Sequence, residues 1–170
     1  MNIQIISGNI NITNLPGFLK QLADIGERHN ITVQAVNADL LTGSRHLMFA
    51  VKKAIRSFES GRNIANNLGM EIMLYAAGTR QIGRALGLGV RIGENRIALV
   101  LVGENGTDDT LVHVSELLDT VDPTVLDYSN AKKSGILEFF SITPDELNAV
   151  DEGNIPELVL ERVALVDVIK

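Results

Sequence analysis

A run of basic side chains follows one face of a predicted helix over residues 45–58. At about 100° per residue, four cations fall opposite the apolar half of this helix, and one aromatic ring lies among them. These residues are Arg45, Phe49, Lys52, Lys53 and Arg56. A single-stranded nucleic acid would place its phosphates on such cations and stack a base on the ring. The alternative is that Phe49 packs under a neighbouring loop and that the cations are ordinary solvent-facing residues.

A histidine, His46, lies at the edge of the apolar half of the same helix. A general base needs a partner, and no carboxylate or nucleophile accompanies His46 at short range in the sequence. We therefore expect His46 to be a hydrogen-bonded residue at the boundary of the core rather than a catalyst.

The string Gly78-Thr79-Arg80-Gln81-Ile82 is a second candidate site. We expect Thr79 to cap a short helix that ends near residue 86, which leaves free backbone N–H groups at its start. Arg80 and Arg84 would then lie one turn apart and converge on one phosphate. The string is not a P-loop, because no Gly-Lys-Ser/Thr follows it.

The segment of residues 155–169 is apolar on nearly every side, whereas a surface helix needs only one apolar stripe. One interpretation is that its own domain encloses the segment, whose end (ALVDVI) could then be a buried strand. The other is that another protein chain covers part of it.

Charge is segregated along the chain. Residues 45–96, which include Arg62, carry a net charge of +6, and residues 97–170 carry −11, within a total of −6. A block of one sign predicts a surface for a partner of opposite sign, whereas the acidic total argues against a protein that coats DNA. The alternative is that the basic and acidic parts face each other in the fold.

Composition narrows the class of protein. The 170 residues include no cysteine, which excludes disulfides and thiolate metal sites, and the three histidines are far apart. We therefore expect no metal and no cofactor. The sequence has no apolar run long enough to span a membrane, and its start does not resemble a signal peptide, so we expect a cytoplasmic protein.

Strand and helix patterns alternate along the chain. Strands are predicted over residues 2–7, 31–36 and 96–102, the last as the central strand, with turn signals at Gly8 and residues 9–11. Helices are predicted over 16–28, 44–61, the later part of 64–77, 79–86 and 108–119, with residues 123–133 irregular. A capping box at Thr143 starts another helix, which is interrupted near Gly153 before a last segment over 157–169. We predict an α/β fold, with residues 1–170 as a single domain and a small mixed β-sheet flanked by several helices.

Three strings of residues resemble the PRPK-binding-protein family, the small non-catalytic Cgi-type subunit of the KEOPS (EKC) complex. The strings are His46-Leu47-x-x-Ala50-Val51-x-x-Ala54, Ile64-Ala65-Asn66 and Glu71-Ile72-x-Leu74-x-x-Ala77-Gly78-Thr79-Arg80-Gln81-Ile82-x-x-Ala85. The match is dense from residue 36 to about residue 93 and resumes in Glu161-Arg162-Val163-Ala164-Leu165.

This resemblance implies a role in the threonylcarbamoyladenosine modification of tRNA. Members of the family have no catalytic centre, bind the N-lobe of the small atypical kinase of the complex, and in archaea capture the 3′ CCA end of tRNA. The predicted tRNA-binding residues are Arg45, His46, Phe49, Lys52, Lys53, Arg56, Arg62, Gly78, Thr79, Arg80, Gln81 and Arg84. The predicted kinase-binding residues are Leu158, Val159, Arg162, Val163, Val166 and Ile169.

Two other functions remain open from the sequence. One is a small enzyme that binds a phosphorylated metabolite at residues 78–84, with His46 as general base; the other is a structural adaptor without RNA contact. If Val163 and Val166 face a kinase, Val163→Arg or Val166→Arg should leave the fold intact and prevent co-purification with the kinase.

Overall fold

The structure is a computed structural model that describes residues 1–105, 107–151 and 154–168. The chain folds into two compact units. Unit 1 consists of Met1–Ala38 and Gly89–Val125, and unit 2 of Asp39–Leu88 and Leu126–Lys170. Strands and helices alternate in unit 1 and helices dominate unit 2, so the predicted α/β class is confirmed. That residues 1–170 form a single domain stays a prediction.

Unit 1 is built on a four-stranded sheet. Its strands are β1 (Asn2–Ile12), β2 (Thr32–Asn37), β3 (Gly93–Gly103) and β4 (Thr120–Val121), in the order β2-β3-β1-β4. Strand β3 lies between two others, as predicted for a central strand. All three described strand pairs are antiparallel rather than mixed in direction. The reason is that β3 inserts between β1 and β2, which run parallel to each other without being neighbours.

Strand β1 is longer than its sequence suggests. The turn predicted at Gly8 and residues 9–11 is wrong, because these residues pair with β3 as far as Ile12, which lies opposite Gly93. Gly8 is needed for another reason: a Cβ atom there would lie 1.9 Å from the carbonyl oxygen of Thr120 on β4. The glycine thus allows two strands to approach closely and does not end the strand.

Two helices accompany the sheet of unit 1. Helix α1 (Leu15–His29) starts at Asn14, whose side chain accepts a hydrogen bond from the Gly17 N–H at 3.0 Å. Its buried side chains join those of β1 and β3 in one apolar core. Helix α5 (Asp108–Ser115) is shorter than the predicted 108–119.

Unit 2 contains six helices among the described residues. They are α2 (Ser44–Glu59), α3 (Leu68–Ala77), α4 (Ile82–Ala85), α6 (Lys133–Phe139), α7 (Pro144–Asn148) and α8 (Ile155–Leu165). Helices α2 and α3 start and end close to prediction, the capping box at Thr143 is confirmed, and α7 ends at Asn148, earlier than predicted. Helix α6 had no sequence-based counterpart. The predicted interruption near Gly153 lies outside the described residues.

Helices α2, α3 and α8 pack against one another in unit 2. Every side chain from Glu71 to Ala77 on α3 is buried, so this helix is the centre of the unit. The first half of α8 packs on α6 through a second apolar cluster that includes Ile136, Phe140 and Val159. In the part of the chain that the structure describes, no helix is long and apolar enough to cross a membrane.

His46 is a core residue of unit 2. Its Nδ1 accepts a hydrogen bond from the Thr42 N–H at 3.2 Å, and its Nε2–H donates to the Ala76 carbonyl at 2.8 Å. The ring of Phe140 meets it edge-on, with 5.7 Å between centroids. Burial lowers the pKa of His46 to about 4; the Ala76 hydrogen bond opposes this shift, and the charge of Lys132 adds to it. His46 is therefore a neutral histidine that joins α2 to α3.

This depressed pKa predicts a loss of stability in acid. Because the unfolded chain binds a proton at His46 near pH 6.5 and the folded chain only near pH 4, the free energy of unfolding should fall as the pH drops through this window. Between pH 7 and pH 4, the free energy of unfolding of the wild-type protein should fall by about 3 kcal/mol more than that of the His46→Gln variant. Urea denaturation of both proteins measures this difference. Parallel pH profiles of the wild-type protein and the variant would contradict this assignment.

Candidate nucleic-acid interface

Four cations from three stretches of the chain surround one cavity of about 660 Å³ in unit 2. Two come from α2, one from the connection between α2 and α3, and one follows α3. We call this site the basic cavity. Its lining residues are Lys53, Arg56, Ser57, Ser60, Arg62, Tyr75, Arg80 and Asp167.

A buried carboxylate holds the connection between α2 and α3 in place. Glu71 is fully buried and accepts hydrogen bonds from the Ser57 hydroxyl at 2.8 Å, the Ile64 N–H at 3.0 Å and the Ala65 N–H at 2.8 Å. These bonds tie α2, α3 and the connecting segment to one side chain. Because the tied residues 64 and 65 begin only two positions after Arg62, the path of the connection brings Arg62 to the cavity.

A left-handed turn after α3 places Arg80. Gly78 has φ 64° and ψ 35°, a conformation that glycine adopts at little cost, and a Cβ atom there would meet the Cβ of Arg162 at 3.0 Å. The chain then reverses, and the Arg80 Nη1 donates to the Val166 carbonyl at 3.0 Å. The guanidinium is thereby fixed at the cavity wall.

Asp167 accepts hydrogen bonds from two neighbours at the cavity wall. The Tyr75 hydroxyl donates to one carboxylate oxygen, and the Lys53 ammonium forms an ion pair with the other. Burial acts to raise the pKa of Asp167, but the bonds from Lys53 and Tyr75 outweigh it and hold the pKa below its ordinary value. Burial and the bond to Asp167 raise the pKa of Tyr75 to about 12. At neutral pH the site therefore contains a carboxylate and a phenol.

The structure brings together four of the predicted tRNA-binding residues and separates three others from them. Arg45, Phe49 and Lys52 line a different depression of about 550 Å³ between α2 and α8, where Arg45 pairs with Glu157 at 2.8 Å. We call it the α2–α8 groove. Its lining residues are Arg45, Met48, Phe49, Lys52, Glu157, Leu160, Glu161 and Ala164.

Phe49 is neither hidden beneath a loop nor free in solvent. Its ring is half-buried in the α2–α8 groove, and the ammonium nitrogen of Lys53 lies 5.3 Å from the ring centroid. Both sequence-based interpretations of Phe49 are therefore incomplete, because the neighbouring helix α8 supplies the other wall.

Arg80 and Arg84 do not converge on one point. The helix predicted to start at Thr79 begins only at Ile82, and Gln81 has extended backbone before it, so Arg80 precedes the helix. Arg84 points elsewhere and donates to the Ser141 hydroxyl at 2.8 Å and the Phe139 carbonyl at 3.2 Å. The expected convergence is wrong, since the two arginines line separate cavities.

The remaining predicted tRNA-binding residues lie apart from the basic cavity. Gly78 and Thr79 border the small cavity of Arg84, Thr79 Oγ1 accepts from the exposed Gln81 N–H at 3.1 Å, and His46 is 1% exposed. The side chain of His46 cannot reach a ligand at the surface in this conformation.

Helix α8 turns the predicted kinase-binding residues inward. Leu158, Val159, Val163 and Val166 are all buried in unit 2, and α8 continues as a turn after Leu165 rather than as a strand. The expectation that Val163→Arg would leave the fold intact is wrong, because a cation would replace a fully buried valine. The same holds for Val166→Arg. Ile169 lies outside the described residues.

Arg162, the remaining residue of this set, is engaged within unit 2. Its Nη2 pairs with Glu146 at 2.8 Å, and its Nε donates to the Phe140 carbonyl at 2.8 Å. Arg162 thus fixes α8 to α7 and to the end of α6. Among the described residues, the outward apolar side chains near the end of α8 are Ala164, Leu165 and Val168.

Several residues of the site were not predicted from the sequence. Tyr75 is the single phenol in the otherwise apolar end of α3, and Asp167 is the single charge in ALVDVI, so each had a weak signal. Ser57 and Ser60 had none, because serine is common at the ends of helices.

Comparisons with known proteins identify the family of this chain. The family model described as kinase binding protein CGI-121 matches residues 10–167. The chain is 30% identical over 138 residues to the Regulatory protein Cgi121 of Methanocaldococcus jannaschii. The aligned region covers 81% of this chain and 84% of that protein. The resemblance seen in the sequence is thereby confirmed: this chain belongs to the CGI-121 family of kinase binding proteins.

Proposed function

We propose that this chain is a non-catalytic, cytoplasmic subunit of a KEOPS-type complex. In this role it binds the small kinase of the complex and captures the single-stranded 3′ CCA end of tRNA for threonylcarbamoyladenosine modification. The observation that carries the RNA-binding part is the basic cavity, where Lys53, Arg56, Arg62 and Arg80 surround one space.

The shape and charge of the basic cavity suit a flexible RNA end better than a duplex. A cavity of about 660 Å³ admits an unstacked nucleotide but not an A-form helix, whose grooves and backbone extend over many nucleotides. Cations on several sides can contact successive phosphates of a strand that bends into the cavity. Tyr75 and the two serines offer hydroxyl groups for further hydrogen bonds.

The α2–α8 groove supports the kinase-binding part of the proposal. Leu160, Ala164 and Phe49 give it an apolar floor, and cations on α2 face carboxylates on α8 at its margins. An apolar centre with a charged rim is the usual anatomy of a protein interface. The buried valines of α8 would support this surface from beneath.

The enzyme alternative loses its candidate base. Both ring nitrogens of His46 are hydrogen-bonded inside the core, and its pKa of about 4 makes it a weak proton acceptor at neutral pH. Arg84, the proposed phosphate ligand, is bonded to Ser141 and Phe139. These contacts favour a binding subunit.

RNA capture predicts a dependence on the CCA end and on the cavity cations. In filter binding across a salt series, intact tRNA should bind at least about tenfold more tightly than tRNA without its 3′ CCA, because the single strand supplies the contacts. Arg56→Glu and Arg80→Glu should each weaken binding about tenfold or more and lower the salt slope by about one.

The matched control for these variants is Arg91→Glu, which makes the same charge change at an exposed arginine of unit 1. It should retain nearly full affinity if the cavity, and not the overall charge, binds RNA. Equal affinity for trimmed and intact tRNA would refute capture of the 3′ end.

Kinase binding predicts that a bulky cation in the groove prevents association. Ala164→Arg should abolish co-elution with the KEOPS kinase in size-exclusion chromatography, because the side chain would fill the apolar floor. Leu86→Arg, which adds the same charge at an exposed leucine outside the groove, should co-elute normally. Co-elution of the Ala164 variant would place the kinase elsewhere on the chain.

A further inference from the structure

A carboxylate lies at the wall of a cavity that is otherwise lined by cations and hydroxyl groups. Asp167 is the one acidic side chain among the described residues that line the basic cavity. Its side chain is 43% exposed, so a ligand in the cavity can reach it. A negative charge at this position opposes the binding of phosphate.

Other residues that line the basic cavity fix the position of Asp167. Lys53 and Tyr75 each engage one of its carboxylate oxygens, and the neighbouring Val166 carbonyl accepts from Arg80. An ionised carboxylate has about four lone-pair sites, so two contacts leave acceptor capacity for a ligand. The carboxylate thus offers acceptor positions inside a site that attracts phosphates.

Such a carboxylate distinguishes two kinds of RNA end. A ribose with free 2′ and 3′ hydroxyls presents O–H donors, which a carboxylate accepts in short, strong hydrogen bonds. A terminal phosphate presents further negative charge, which the carboxylate repels. The four cations oppose this selection by the carboxylate, because they would favour the end with the additional phosphate.

We propose that Asp167 is a specificity-determining residue that makes the basic cavity select RNA ends with free ribose hydroxyls over ends with a terminal phosphate. This inference rests on the proposed capture of an RNA 3′ end. It goes beyond that proposal because it names the chemical form of the end that is accepted and the side chain that selects it.

A purely structural role for Asp167 predicts something different. If the carboxylate only held Lys53 and Tyr75 in place, its removal would weaken the binding of both kinds of end to a similar extent. The selection proposed here acts on the ratio of the two affinities, and it predicts a gain of binding for the phosphorylated end. A misfolded variant cannot produce such a gain.

The experiment compares one tRNA in two forms, ending in a 3′ hydroxyl or a 3′ phosphate, by filter binding to full-length protein. The wild-type protein should prefer the hydroxyl form about tenfold. Asp167→Asn, which keeps the shape and removes the charge, should bind the phosphate form more tightly and reduce the preference to about twofold or less. Asp127→Asn removes a charge from an exposed residue of unit 2 outside the cavity and should keep the wild-type ratio.

Two results would overturn the proposal while leaving RNA capture intact. One is tight binding of both forms by the wild-type protein without preference for the hydroxyl form; the other is a preference that persists in Asp167→Asn. Failure of the wild-type protein to bind either form would refute both the selection and the capture of tRNA on which it rests.

Discussion

The buried carboxylate of Glu71 is the interaction on which the arrangement of unit 2 depends. Three donors converge on it: a hydroxyl on α2 and two backbone N–H groups of the connection that leads to α3. A buried carboxylate is tolerated only when such donors satisfy it, and removal of the acceptor would leave several of them unpaired at a cost of about 1 to 3 kcal/mol each. Because the same bonds fix the chain beside Arg62, the basic cavity depends on the buried hydrogen bonds of Glu71.

Helix α8 serves two surfaces of the same unit. Its inner face fills the core with Val159 and Val163, whereas Leu160 and Ala164 form the floor of the α2–α8 groove. The turn that follows the helix supplies Asp167 to the basic cavity. These two roles explain why the α8 segment is apolar on nearly every side. The helix is covered by α2, α3 and α6 and still presents apolar atoms to the α2–α8 groove. In the proposed function, the kinase would bind beside the first half of α2 and RNA beside its second half, with α8 in contact with the first site and its terminal turn in contact with the second.

Features that depend on local sequence patterns were predictable from the sequence, whereas features that depend on tertiary contacts were not. The start of α2 at Ser44, the central position of β3 and the capping box at Thr143 were predictable from nearby residues alone. The continuation of β1 through Gly8 was not, because the pairing partners of that segment lie far along the chain. The same reason separates the basic residues: the helical wheel placed Lys52 and Lys53 side by side, but α8 and the α2–α3 connection assign them to different depressions. The composition of the α8 segment, which is apolar on nearly every side, did not by itself show that Val163 faces inward.

In the proposed function, cations from separate segments of the chain form one binding site for an RNA end. The most direct measurement is the change in backbone and side-chain NMR shifts of ¹⁵N-labelled full-length protein as a CCA trinucleotide is added. We expect the largest changes to cluster at Lys53, Arg56, Arg62, Tyr75 and Arg80. Changes centred on Arg45, Phe49 and Lys52, or on the strands of unit 1, with the basic cavity unaffected, would contradict this expectation.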